Sequence, residues 1–163
     1  GRRQLKPEEI DLKPLVETIA ASVHHQISES DGQIDFDIRA GKINTDRLSV
    51  EQILGNLVDN AIKYKNPDRP LALSIRSMPE GRHMVRIEVQ DNGRGIADQD
   101  HERVFELFRR SGQQDKAGEG IGLAHVRSLA RNLGGEINVT SRLGEGSTFV
   151  LRLPVDLSRL VRS

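Results

Sequence analysis

The 163-residue chain contains no cysteine and no tryptophan, and aromatic residues make up only 3% of it. The missing thiols exclude disulfides, thiolate nucleophiles and cysteine-ligated zinc, and they fit a reducing cytoplasm. The scarcity of aromatics removes the stacking platforms on which single-stranded nucleic acids are held. An excess of one charge is missing too: 24 basic residues face 24 acidic ones. No bulk field therefore favours nucleic acid or a membrane surface. No apolar run approaches the roughly 20 residues of a membrane span, and the N-terminus lacks the pattern of a signal peptide. The expectation is a cytoplasmic domain with its own hydrophobic core and no direct membrane contact.

Glycine, by contrast, is placed with purpose. "AGEGIGLAHV" (117–126) sets glycines at alternate positions ahead of an apolar, helix-like run. Glycine-rich turns feeding a helix often cradle phosphate. The dinucleotide fingerprint G-x-G-x-x-G fails here, because Leu123 stands where its third glycine belongs. The P-loop fails as well, since no Gly-Lys-Ser/Thr follows. Taken alone, the stretch is a tight turn or a phosphate loop of another kind.

Hydrophobic periodicity sets the elements around it. Leu12, Leu15, Val16, Ile19, Ala20, Val23 and Ile27 form a helical stripe, and "QIDFDIRA" alternates as a half-buried strand with Ile34, Phe36 and Ile38 on one side. The clearest helix spans about 49–64, with Ser49 and Gln52 as a capping-box pair and apolar residues from Val50 to Ile62 at three-four spacing. Strands "LALSIRS" and "HMVRIEVQ" follow, joined by the turn "MPEGR". A short helix is expected around 99–109 and a longer one over about 121–133, closed by Gly134-Gly135. "EINVTS", "RLGEG" and "STFVLRLP" read as a final hairpin. Helices and strands come in blocks, which predicts an α+β two-layer sandwich, one mixed sheet covered by helices on a single face.

Two groups of polar residues stand out. Asn56, Asn60 and Lys63 project from roughly one face of the best helix, at spacings i, i+4 and i+7. Asparagine disfavours helix interiors. The face is either ordinary solvated surface or a carbonyl oxygen for a hard cation beside a lysine for phosphate charge; magnesium suits the second reading. "DNGRGI" (91–96) ends a strand on Asp91, with Gly93 and Gly95 permitting close backbone approach. Asp91 is either a turn residue bonded to its own backbone or an acceptor for an exocyclic amino group such as that of adenine.

The order of these pieces resembles the catalytic ATP-binding domain of bacterial sensor histidine kinases, in the GHKL ATPase superfamily. "NLVDNAIKY" is similar to the N box, "DNGRGI" to the G1 box, "VFELFRR" to the F box, "GEGIGLAHV" to the G2 box and "GEGSTF" to the G3 box, together covering about residues 48–153. The resemblance implies a Bergerat fold that binds ATP and Mg2+ between the sheet and a lid over about 108–117. It implies Asn60 as the magnesium ligand, with Asn56 and Lys63 near the phosphates as further catalytic groups. Tyr64 would pack against adenine, Asp91 would read it, and Gly93, Gly95 and Ile96 would form the turn beside it. Gly118, Gly120, Gly122 and Leu123 would line the phosphate side, and Thr148 would hold the adenine-bound water network. Arg109, Arg110 and Lys116 are candidates for phosphate contact from the lid. The expected organisation is a leading helix over 1–30, a catalytic core over 31–155 and a tail over 156–163.

Gyrase-like and MutL-like relatives hydrolyse ATP with a glutamate four residues before the magnesium asparagine. Asn56 occupies that position, and an amide cannot accept a proton as a carboxylate does. The pattern therefore favours phosphoryl transfer to another nucleophile, and neutral imidazole suits that role. None of His24, His25, His83, His101 and His125 lies in the acceptor segment H-E-x-[RK]-x-P of the family. His24 and His25 are expected on the surface, and His125 is expected to be structural. The resemblance then implies a monomeric catalytic piece of a larger homodimeric kinase. Its partners would be a dimerisation and histidine-phosphotransfer domain of the same protein and, indirectly, a response regulator receiver domain. An ATP-binding adaptor that transfers nothing, and a serine kinase of the anti-sigma-factor type, share the same boxes.

Overall fold

The structure, a computed structural model, describes residues 4–29, 31–105 and 119–158, with only the backbone described for 119–122. The elements in order are β1 (Pro7–Asp11), α1 (Leu12–Ser28), β2 (Gln33–Ile38), β3 (Lys42–Asp46), α2 (Arg47–Lys63), β4 (Ala72–Glu80) and β5 (Met84–Asp91). Two 3-10 turns, Asp98–Asp100 and Arg103–Phe105, precede α3 (Glu119–Asn132), β6 (Glu136–Arg142) and β7 (Gly146–Pro154).

Five strands form one mixed sheet in the order β2-β4-β5-β7-β6. β2 runs parallel to β4, and the remaining pairs are antiparallel. Strand alternation sends Leu73, Ile75, Val85, Ile87, Val89, Leu151 and Leu153 to one face, where all are buried. The helices cover that face with Leu15, Val16, Ile53, Leu54, Leu57, Val126 and Ala130, all in the same core. This is the expected α+β two-layer sandwich. The opposite face carries charge: Glu88, only 5% exposed, sits between Arg76 (2.7 Å) and Arg86 (2.6 Å). Its carboxylate is thus paired on both oxygens, which makes burial tolerable. Among the described residues no helix is long and apolar enough to cross a membrane.

Several boundaries differ from the periodicity reading, each for a local reason. α2 starts at Arg47, because Asp46 caps it; the Ser49–Gln52 capping box does not form. Instead the Ser49 amide and hydroxyl both donate to Asp46 Oδ2, at 3.1 and 2.6 Å. β4 continues through Met78 and Pro79 to Glu80, so the turn is shorter than "MPEGR" and bends at Gly81. Phe36 is 40% exposed, since β2 is an edge strand that pairs with β4 alone. The helix expected around 99–109 appears as the two 3-10 turns as far as Phe105, and its remainder lies outside the described residues. Periodicity did not indicate the small β1–β3 sheet, in which Ile10 faces Ile43.

That small sheet is joined to α2 through Asp46. Its Oδ1 accepts from the Lys6 amide at 2.9 Å, while Oδ2 caps the helix, and the residue is 2% exposed. The α2 face that carries the polar site depends on this cap. Asp46→Ala is expected to destabilise the protein by about 2 kcal/mol or more, combining a lost cap with stranded donors, and Asp46→Asn to recover most of that loss. Urea denaturation checks this; an unchanged midpoint in Asp46→Ala would remove Asp46 from the folding argument.

Candidate functional site

At the open end of the sheet, α2, β5 and β7 surround a cavity of about 630 Å3, within the usual range for small-molecule sites. α2 supplies one wall with Asn60, Ala61 and Tyr64, and Asp91, Ser147 and Phe149 form the floor. Gly95, Ile96 and Ala97 make the rim, continued by Asp100, Arg103 and Val104 from the 3-10 turns. Leu123 of α3, with Arg94 and Leu143, completes the lining.

Asp91 is the chemical centre of this floor. The Gly93 amide donates to its Oδ1 at 2.9 Å and the Ser147 amide donates to the same oxygen at 3.3 Å. Both bonds reach Oδ1, so Oδ2 remains an acceptor without a partner among the described residues. Burial pushes the Asp91 carboxyl above its ordinary value of 3.8, against the two backbone hydrogen bonds, which lower it. Such a group gains from a donor that enters the cavity.

The turn after Asp91 is built from backbone meeting backbone. A Cβ on Gly93 would lie 2.7 Å from the Tyr64 carbonyl oxygen, and one on Gly95 would lie 2.0 Å from that of Arg142. Gly95 also has φ +75°, which a side chain disfavours. Ser141 Oγ accepts from the Ile96 amide at 2.7 Å and donates to the Gly146 carbonyl at 2.8 Å. With its one proton so used, Ser141 accepts from Ser147 Oγ, 2.7 Å away. Below, Phe105 meets Phe149 edge-on at 6.0 Å, and Arg127 of α3 stacks over Phe105 at 4.4 Å while pairing with Glu102. Those contacts tie the last 3-10 turn to α3.

Of the residues singled out from the sequence, Asn60, Tyr64, Asp91, Gly95, Ile96 and Leu123 line this one cavity. Gly93 stands directly behind Asp91. Asn56 and Lys63 flank Asn60 on α2 without lining the cavity; Lys63 is exposed and Asn56 half-buried. Thr148 does not line it either. It pairs with Gln90 and alternates with the lining residues Ser147 and Phe149, which places it on the open face of the sheet. Its neighbour Ser147 lines the cavity. Gly120 and Gly122 lie in the first turn of α3, where backbone amides lack helical partners. Gly118, Arg109, Arg110, Lys116 and the 108–117 segment lie outside the described residues. His24, His25 and His125 are exposed, the first two as expected of surface residues. Sequence reading passed over Arg94, Asp100, Arg103, Leu143, Ser147 and Phe149. Ser147 and Phe149 follow by strand alternation only once the register Asp91↔Ser147 is known, and that register is set by tertiary pairing.

The comparisons with known proteins agree with this geometry. The model of the "Histidine kinase-, DNA gyrase B-, and HSP90-like ATPase" family matches residues 45–157. Sensor protein RprX of Bacteroides fragilis is 31% identical over 156 residues, 93% of this chain and 30% of RprX. The aerobic respiration control sensor protein ArcB of Escherichia coli is 36% identical over 116 residues, 69% of this chain and 14% of ArcB. The chain thus spans less than a third of either relative. Full-length ShkA in complex with AMPPNP superposes with a TM-score of 0.83 at 26% identity, covering 94% of this chain and 32% of ShkA. The nucleotide-free catalytic domain of the histidine kinase ThkA shares the fold, with a TM-score of 0.82 at 23% identity over 95% of this chain and 99% of that one. The chain belongs to the histidine kinase-, DNA gyrase B- and HSP90-like ATPase family, as an ATP-binding domain of the sensor histidine kinase type.

Asp91 carries a stability cost that its chemistry explains. With its carboxyl raised above 3.8 in the folded state, its contribution is fully present below the unfolded value and is lost as pH rises through the folded one. Asp91→Asn, which keeps an acceptor for the Gly93 and Ser147 amides, is expected to equal or exceed wild-type stability at pH 7. That advantage should shrink as pH falls towards 3.8. Urea titrations across pH 3–7 measure it, and an Asn variant uniformly less stable than wild type would contradict the burial argument.

Proposed function

We propose that this domain binds ATP with Mg2+ in the Asp91 cavity and transfers the γ-phosphoryl group to a histidine on a separate domain. The observation that carries the reading is the presence, in one cavity, of a half-buried, half-satisfied carboxylate, Asp91, and of Asn60. Asp91 suits an adenine amino group: two amides on Oδ1 fix the carboxylate's orientation and leave Oδ2 as the acceptor. Tyr64, 36% exposed at the end of α2, presents an aromatic face to the base.

The donor set fits magnesium of the phosphate-bound kind. No group of three or more His, Cys, Asp or Glu side chains suited to a metal occurs among the described residues. Magnesium bound with a nucleotide needs few protein ligands, because waters and phosphate oxygens complete its shell. Asn60 lines the cavity, and its side chain makes no hydrogen bond among the described residues. When bound, the ion neutralises charge developing on the phosphoryl oxygens. Asn60 would hold it, and the first-turn amides of α3 at Gly120 and Gly122 favour the adjoining anionic groups. Asn56, one turn before Asn60, cannot serve as the base that activates water, which favours transfer over hydrolysis. The acceptor would lie on a dimerisation and phosphotransfer domain, with a response regulator receiver domain downstream. That partnership is supported by ThkA, whose structure in complex with the response regulator protein TrrA is similar to this chain.

Isothermal titration with ATP and Mg2+ tests the site. Asp91→Ala and Asn60→Asp are each expected to weaken binding by roughly tenfold or more, the worth of one charge-assisted contact. Undiminished binding in both variants would discard the assignment. Mixing the domain with a histidine-bearing hairpin should yield acid-labile phosphohistidine. Acid-stable phosphoserine on a protein partner, or binding without transfer, would favour the serine kinase or the adaptor.

A further inference from the structure

One side chain outside every sequence motif ties the base end of the cavity together. Arg69 lies in the loop between α2 and β4, and its guanidinium donates three hydrogen bonds to main-chain carbonyls. Nε reaches Asn92 O at 2.8 Å, and Nη2 reaches Gly93 O at 3.2 Å and Gly144 O at 2.8 Å. The turn after Asp91 and the β6–β7 turn, far apart in sequence, thus share one donor group. They are stitched again where the Gly144 amide donates to Arg94 O at 2.6 Å. The Arg69 loop is itself anchored by Asn92, whose Nδ2 donates to Pro70 O at 3.1 Å and whose Oδ1 accepts from the Ala72 amide at 2.8 Å.

The β6–β7 turn held in this way carries Leu143, which lines the cavity although it is 70% exposed. A leucine so open contributes little to folding, yet it offers an apolar edge to a ring entering beside Asp91. A hydrogen bond accepted by Asp91 from a base gains strength when water is kept from its flank.

We infer that Arg69 is a positioning residue for base recognition: it straps the Leu143 turn to the Asp91 turn, so that Leu143 forms an apolar lip over the hydrogen bond that Asp91 offers the base. The inference rests on the adenine reading of the cavity. A forked guanidinium suits the task because three carbonyls at different positions need a planar group with several donors. Lysine keeps the charge but not the fork.

The test compares ATP with inosine triphosphate, which lacks the exocyclic amino group, by titration against wild type, Arg69→Met, Arg69→Lys and Leu143→Ser. Wild type is expected to favour ATP by about tenfold, as one hydrogen bond to a charged acceptor allows. In the three variants that preference should fall to within about threefold, chiefly through weaker ATP binding. A purely structural role would reduce the competent fraction for both nucleotides alike and leave the preference at the wild-type value, which would overturn the inference. A wild type that binds the two equally would instead strike the adenine reading. The strap is then decided without nucleotide, by hydrogen exchange in the free protein. Arg69→Met should speed exchange of the Gly144 amide while α2 amides stay protected, and unchanged Gly144 protection would overturn it.

Discussion

The close approach of three main-chain segments at the end of β5 is the constraint on which the site depends. Gly93 lies against the Tyr64 carbonyl, Gly95 against that of Arg142, and Gly146 against that of Asp91 itself, where a Cβ would stand 2.1 Å from the oxygen. No side chain fits at these contacts, so glycine is required by packing and, at Gly95 and Gly146, by positive φ as well. The approach sets the Gly93 and Ser147 amides on one oxygen of Asp91. It also brings α2, through the Tyr64 carbonyl, to the same turn, where the Arg94 amide bonds to it at 3.0 Å. Asn60 and Asp91 share a cavity because these backbones touch.

Much of this was legible in the sequence, for identifiable reasons. Long periodic segments such as α1, α2 and α3 declare themselves, because a buried stripe must recur every three or four residues. D-x-G-x-G was readable as a strand end with close backbone approach because glycine has few other reasons to recur there. The capping of α2 was harder. Ser49 and Gln52 satisfy the local rule, and only tertiary burial shows that Asp46 outcompetes them, since its second oxygen also answers the Lys6 amide 40 residues away. β1 and β3 are short, with pairing set by register between distant residues such as Ile10 and Ile43, and local pattern holds no trace of it.

The site divides along the same line. Asn60, Tyr64 and Asp91 belong to motifs, whereas Arg69 acts through carbonyls that no side-chain pattern encodes. An arginine in a polar loop, after "NPD", reads as solvated, whereas the fold brings three acceptors within its fork. Thr148 and Ser147 illustrate a subtler limit. The resemblance implied a hydroxyl at Thr148, but two adjacent hydroxyls on a strand face opposite ways, and the register Asp91↔Ser147 turns Ser147 to the cavity side.

Asp91 also explains why stability and binding pull apart here. The folded chain holds a carboxylate where burial disfavours its charge, and the two amides on Oδ1 offset only part of that cost. A neutral side chain of the same shape relieves the strain but offers a weaker acceptor to an incoming donor. Retaining the acid is therefore advantageous only when something else supplies the missing hydrogen bond at Oδ2. The lining residues Ile96, Leu123 and Phe149 are apolar, and among the described residues no group donates to Oδ2. On the adenine reading proposed for this cavity, the fold keeps a cost in its free form that a ligand with a well-placed amino group would remove, which would convert a local destabilisation into selectivity.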